Sequence, residues 1–212
     1  MNEELTILLI TAASIGFFHT LLGPDHYLPF VAISKARDWS QTKTLLLTIL
    51  CGFGHVLSSI ILGLIGVALG TAVTKLEFIE SIRGELAAWT LIAFGLVYLI
   101  WGLRRAYKNK HQHHHHNDKK SLTPWVLFIV FVLGPCEPLI PILMYPAAKS
   151  SLSGMILVAG VFSIVTIATM TSIVYLLIGG FKLLKFPSLE RYSHALAGFV
   201  ILLCGVAIRF GL

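Results

Sequence analysis

Long apolar runs separated by short polar stretches fill this chain. Six of them, at about 5–22, 44–73, 86–105, 124–148, 152–181 and 193–210, are long enough to cross a bilayer. Each predicts a membrane helix. The first and fourth runs are interrupted. Gly23-Pro24 stops the first, which resumes from Tyr27 to Ile33, and Gly134-Pro135 stops the fourth, which continues through Pro138, Pro141 and Pro146. A Gly-Pro pair ends one helix and starts another, because proline lacks the amide donor and clashes with the preceding turn. Inside hydrocarbon such a break leaves backbone groups unpaired. It is tolerated only where protein buries it or a cavity borders it.

The two breaks lie 111 residues apart, about half the chain length, and the third and sixth runs align at a similar offset through Trp101-Gly102-Leu103 and Phe210-Gly211-Leu212. The expected plan is an all-α polytopic membrane protein of six transmembrane helices arranged as two inverted three-helix repeats. An odd number of spans per repeat forces opposite orientations. Residues 1–105 form the first repeat, 106–123 a His-rich loop, and 124–212 the second repeat.

Composition agrees with the pattern. Of 212 residues, 56% are hydrophobic and 12% charged, and mean hydropathy is +0.84. A soluble fold could not hide that much apolar surface, which excludes an ordinary soluble enzyme, a disordered chain and a disulfide-stapled secreted domain. The net charge of +6 reads as orientation and not as affinity for nucleic acid, which is not an expected partner. Twelve Lys and Arg fall on the side of loops 1–2, 3–4 and 5–6, against four on the other side. The bias places loop 3–4 in the cytoplasm and both termini outside a cell membrane. The acidic start, Met-Asn-Glu-Glu, is unlike a cleavable signal, so the first run is expected to stay as a helix. Cys51, Cys136 and Cys204 are widely spaced and form no framework. The loop holds His111 and His113 to His116, a tract that suits metal handling by composition.

Ionisable groups inside membrane spans are expensive and mark function by default. Here they gather at the breaks: His19, Asp25 and His26 around the first, Cys136 and Glu137 after the second, and His55 in the second span within Cys51-Gly52-Phe53-Gly54-His55. In a continuous helix His19 and His26 would share a face about 10 Å apart along the axis, too far for one ion. The break can bring them together. Two or three imidazoles with a carboxylate suit a first-row transition metal and not Mg²⁺ or Ca²⁺. Cys136, at a helix start, is a candidate soft ligand, and Glu137 a ligand or proton carrier.

The run His19-Thr-Leu-Leu-Gly-Pro-Asp25-His26 resembles the signature of the urease accessory membrane protein UreH and the wider NicO-like nickel/cobalt transporter group, and Gly54-His55 resembles the motif of their next helix. That resemblance implies metal recognition by His19, Asp25, His26 and His55. Gly134-Pro135-Cys136-Glu137-Pro138 looks instead like the Pro-Cys motif of the membrane domains of the thiol–disulfide proteins DsbD and CcdA, which place one cysteine in each broken helix. In this chain Asp25 stands where the partner cysteine would be, so a dithiol would need Cys51 or Cys204.

Taken together, these features predict a secondary transporter of a divalent transition metal, nickel or cobalt, through a midplane site of His19, Asp25, His26, His55, Cys136 and Glu137. It would not be an enzyme, and no cofactor beyond the transported ion would be required. The partners are the lipid bilayer and the ion, and the plan leaves room for a homo-oligomer and for a metal chaperone at the His-rich loop. The alternative is a membrane thiol–disulfide oxidoreductase or electron carrier of the DsbD/CcdA type.

Overall fold

The structure is a computed structural model that describes residues 3–70, 73–108, 123–134, 136, 138–148, 152–183 and 191–210. The histidine tract at 111–116, most of the loop that contains it, Pro135 and Glu137 lie outside the described residues.

Helix α1 (Glu3–Leu22) leads to a 3-10 turn (Pro24–His26) and the short α2 (Leu28–Ala36). Next come α3 (Gln41–Ala68), α4 (Val73–Lys108) and the pair α5 (Thr123–Leu133) and α6 (Leu139–Ala148). Then follow α7 (Leu152–Leu183) and α8 (Ser193–Arg209). No strand occurs among the described residues. The starts and stops follow local chemistry. Ser40 caps α3 by accepting the Lys43 amide at 3.2 Å. Gly70, at φ 60°, ends the same helix in the left-handed region.

The protein is thus all-α and multi-pass. Among the described residues, four helices are long and apolar enough to cross a membrane: Glu3–Leu22, Gln41–Ala68, Thr74–Lys108 and Leu152–Gly180. The other two expected spans are shorter. The run 124–148 is divided at its Gly-Pro break into α5 and α6, and the last run forms the 17 residues of α8. The third span is longer than expected. It begins at Val73 rather than near residue 86, which brings Glu80 and Arg83 into a helix.

The outward faces carry Ile10, Leu46, Phe53, Val97, Ile164 and Leu176, the surface a lipid solvent requires. Inside, two apolar clusters form. One gathers Phe30, Ile33, Cys51, Leu91, Phe131, Met170 and Ile201, the other Ala12, Val56, Cys136, Leu139, Val158 and Phe162. The backbones of α4 and α8 approach closely. A Cβ on Gly95 would lie 2.5 Å from the Leu202 amide nitrogen, and one on Gly205 would lie 2.8 Å from that of Ile92. Gly102 and Gly198 meet the backbones of Ala195 and Leu99 in the same way. Small residues let helix backbones touch where no hydrophobic force drives them together.

Candidate functional site

At the first break, Gly23 is extended (φ −87°, ψ 92°) and Pro24 opens the 3-10 turn. The Gly23 amide closes α1 on the His19 carbonyl at 3.0 Å, and the His26 amide bonds the Gly23 carbonyl at 3.1 Å. The chain folds back so tightly that a Cβ on Gly23 would lie 2.6 Å from His26 Nδ1. The seven-residue spacing collapses, and the rings of His19 and His26 stand edge to face with centroids 4.7 Å apart.

His55 comes from α3 and meets His26 on its other side, at 5.2 Å between centroids. Its Nδ1 lies 3.1 Å from the Phe131 carbonyl, at the end of α5. His26 Nδ1 lies 3.1 Å from the Gly23 carbonyl and 3.2 Å from Asp25 Oδ1. All these neighbours are acceptors, so each Nδ1 is the donor. In the neutral ring that leaves Nε2 with its lone pair free. The Nε2 atoms of His19, His26 and His55 are buried and have no hydrogen-bond partner. One ligand atom from each of the three rings lies within 4.8 Å of the others. A free imidazole lone pair held by an Nδ1–H bond to a carbonyl or carboxylate is the arrangement that metal-binding histidines use. The triad can hold a transition-metal ion, and Asp25 acts on it through His26.

The second break reaches the same place, since a Cβ on Gly134 would lie 3.3 Å from His55 Nδ1. The Gly134 amide closes α5 on the Val130 carbonyl at 2.8 Å, and α4 supplies further partners. Arg83 donates to the Val132 carbonyl at 2.8 Å, to the Gly134 carbonyl at 3.4 Å and to Ser58 Oγ at 2.6 Å. It also donates to Glu80 Oε1 at 2.6 Å, while Glu80 Oε2 accepts the Cys136 amide at 3.3 Å. Glu80 is fully buried, at 0% exposure.

All three cysteines are free and buried. Cys136 sits within the second break. Cys204, on α8, places its sulfur 4.0 Å from the Pro24 carbonyl of the first. Cys51 packs in the apolar cluster around Phe30 and Ile33. A cavity of about 730 Å³ is lined by His19, Gly23, Asp25 and His26, with Pro138 beside the second break and Glu85 and Arg209 on the far side. Glu85 and Arg209 pair at 2.7 Å.

Of the residues expected from sequence, His19, His26 and His55 converge. Asp25 lies beside them on His26, and Cys136 stands apart in an apolar setting. Glu80 and Arg83 escaped the sequence reading, where Arg83 counted only as an outer-side basic residue. The available signal was their i, i+3 spacing between Leu76, Ile79 and Ile82 on one side and Leu86 on the other.

These features define a class: a helical membrane protein whose two broken helices meet over buried histidines, with a free cysteine at each break. The chain belongs to the family described as the cytochrome c biogenesis protein transmembrane region, whose model matches residues 28–207. No curated protein and no solved structure matches the chain.

Membership in this thiol–disulfide family corrects three expectations. The chain is not a member of the NicO/UreH nickel/cobalt group. Its function is not that of a metal-ion transporter, and the family conflicts with the expectation that it is not an enzyme. The metal-type motif, His19 to His26, lies ahead of the matched segment, whereas the Pro-Cys motif lies inside it. The match favours the redox alternative.

Proposed function

We propose that the protein is a membrane thiol–disulfide oxidoreductase that passes reducing equivalents through the bilayer, with Cys136 and Cys204 as its redox pair. Family membership supports the chemistry. The observation that carries the assignment is the second cysteine. Asp25 occupies the sequence position where a partner for Cys136 would stand, but Cys204 reaches that break from α8, 4.0 Å from the Pro24 carbonyl. In the reductive direction one thiolate attacks a disulfide on a partner protein and forms a mixed disulfide, releasing one partner thiol. The other cysteine then attacks the mixed disulfide and frees the second partner thiol. Two electrons have moved to the partner and a Cys136–Cys204 disulfide remains. Both sulfurs are buried, so exchange requires the broken helices to move.

Thiol trapping tests this reading. After mild oxidation, alkylation and peptide mass mapping should find Cys136 and Cys204 joined and Cys51 alkylated, with a dithiol reversing the change. Alkylation of all three cysteines under both conditions would rule the reading out.

A second element of function is favoured by the three unpartnered Nε2 atoms. The triad would hold one resident transition-metal ion, with His19, His26 and His55 as ligands and Asp25 orienting His26. Such an ion would supply Lewis acidity or one-electron chemistry. Metal analysis of the purified protein should give one ion per chain, and His26→Ala should abolish it while leaving the thiols trappable.

The offset of the two breaks and the Lys and Arg bias support a topology of six spans in two inverted repeats, 1–105 and 124–212. In it α5 and α6 together match α1 and α2. The loop 106–123 would be cytoplasmic and both termini outside.

A further inference from the structure

The two breaks satisfy their backbones differently. The first is closed by its own residues: the Gly23 and His26 amides bond the carbonyls of His19 and Gly23, and Tyr27 donates to the Leu21 carbonyl at 3.3 Å. The second closes partly in the same way, the Gly134 amide bonding the Val130 carbonyl at 2.8 Å and the Leu139 amide that of Cys136 at 3.1 Å, but it takes further partners from α4. The end of α5 presents carbonyls, the negative pole of a helix, and the segment that leads into α6 presents the Cys136 amide, a backbone group of positive polarity. Arg83 lies on the carbonyls of Val132 and Gly134, and Glu80 on the amide of Cys136. Each charge meets backbone groups of opposite polarity. The same guanidinium also bonds Ser58 and Ser59, one turn beyond His55 on α3. His55 itself bonds a further α5 carbonyl, that of Phe131, which also accepts the Gly134 amide at 3.2 Å.

We infer that the buried Glu80–Arg83 pair is a cap supplied in trans, and that these two are positioning residues which fix the Cys136 thiol and the α5 end beside His55 as one unit. The pair acts through the polarity of the helix ends and not only through mutual attraction. This inference rests on the redox reading for its purpose, because it sets when Cys136 becomes reachable. Its geometry does not depend on that reading.

The test measures alkylation of Cys136 by N-ethylmaleimide in the reduced, full-length protein, resolved by peptide mass and expressed relative to Cys51 in the same sample. Arg83→Gln should raise the Cys136 to Cys51 ratio about tenfold, because the break opens locally more often. Arg83→Lys, which keeps a charge on the carbonyls, should recover most of the protection. The exchanged variant Glu80→Arg with Arg83→Glu should not recover it, because each charge then faces a pole of its own sign.

Two outcomes overturn the inference. One is an unchanged ratio in Arg83→Gln, including a parallel rise of both cysteines from general loosening. The other is restored protection in the exchanged variant, which would make the pair a simple ion pair. Should Arg83→Gln fold too poorly to purify, Glu80→Gln carries the same comparison, with a rise in the Cys136 to Cys51 ratio expected and an unchanged ratio contradicting it. The ratio is read on reduced protein, so its failure is separate from a failure of disulfide formation.

Discussion

His26 is the residue on which the site turns. Its Nδ1 is held by Asp25 and Gly23 and its Nε2 is left free, between two further imidazoles. Asp25→Asn should keep the fold but weaken metal binding about 10–100-fold, the usual cost of losing a carboxylate behind a ligand histidine. Competition against a chromophoric chelator measures it. A different single residue governs stability. Removing Arg83 takes the cation away from the buried Glu80 carboxylate, at a cost of about 3–5 kcal/mol. Arg83→Ala should therefore unfold in detergent at markedly lower denaturant than wild type. The histidines and Asp25 were legible in the sequence because charge within an apolar run stands out. Glu80 and Arg83 were not, because Lys75, Glu77, Glu80, Arg83 and Glu85 together read as a polar loop. Only the contacts with Cys136 and Val132 turn that stretch into buried structure.

At the scale of elements, the Gly-Pro breaks decide the architecture. Both were legible, since proline removes a donor at Pro24 wherever it falls. The sequence reading placed both breaks at one site; what the chain could not reveal was that α8 brings Cys204 to the first of them, 180 residues away in sequence. There α8 packs on α2 and the 3-10 turn, and it also approaches α4 closely. Their glycines were visible only as ordinary membrane-helix composition, because a lone Gly102 or Gly198 does not name its partner. The approach makes a direct prediction. Gly198→Val places side-chain atoms on the backbone of Leu99, so it should destabilise the protein by about 1–3 kcal/mol or more. Gly160→Ala, where an added Cβ meets nothing within 4 Å, should be close to neutral. Thermal unfolding in detergent compares the two.

On the scale of the whole molecule, the membrane class was legible from 56% apolar and 12% charged residues, while the function was not. Two motifs pointed different ways, one to metal and one to thiol chemistry. The family match across 28–207 decides between them in favour of redox chemistry. The structure also shows why both motifs could be present, since the histidine triad and Cys204 share the first break, and Cys136 and the Phe131 carbonyl share the second. If the topology is two inverted repeats, a membrane-impermeant probe should label a cysteine placed at Asn117 only from the cytoplasmic side.

The central claim is that Cys136 and Cys204 exchange electrons as a pair, and the most direct measurement is mass-resolved thiol trapping of the wild-type protein in its membrane. Mild oxidation should produce a Cys136–Cys204 linked peptide, with Cys51 left free, and a dithiol should remove it. Three cysteines that alkylate equally in the oxidised and reduced states would contradict the account.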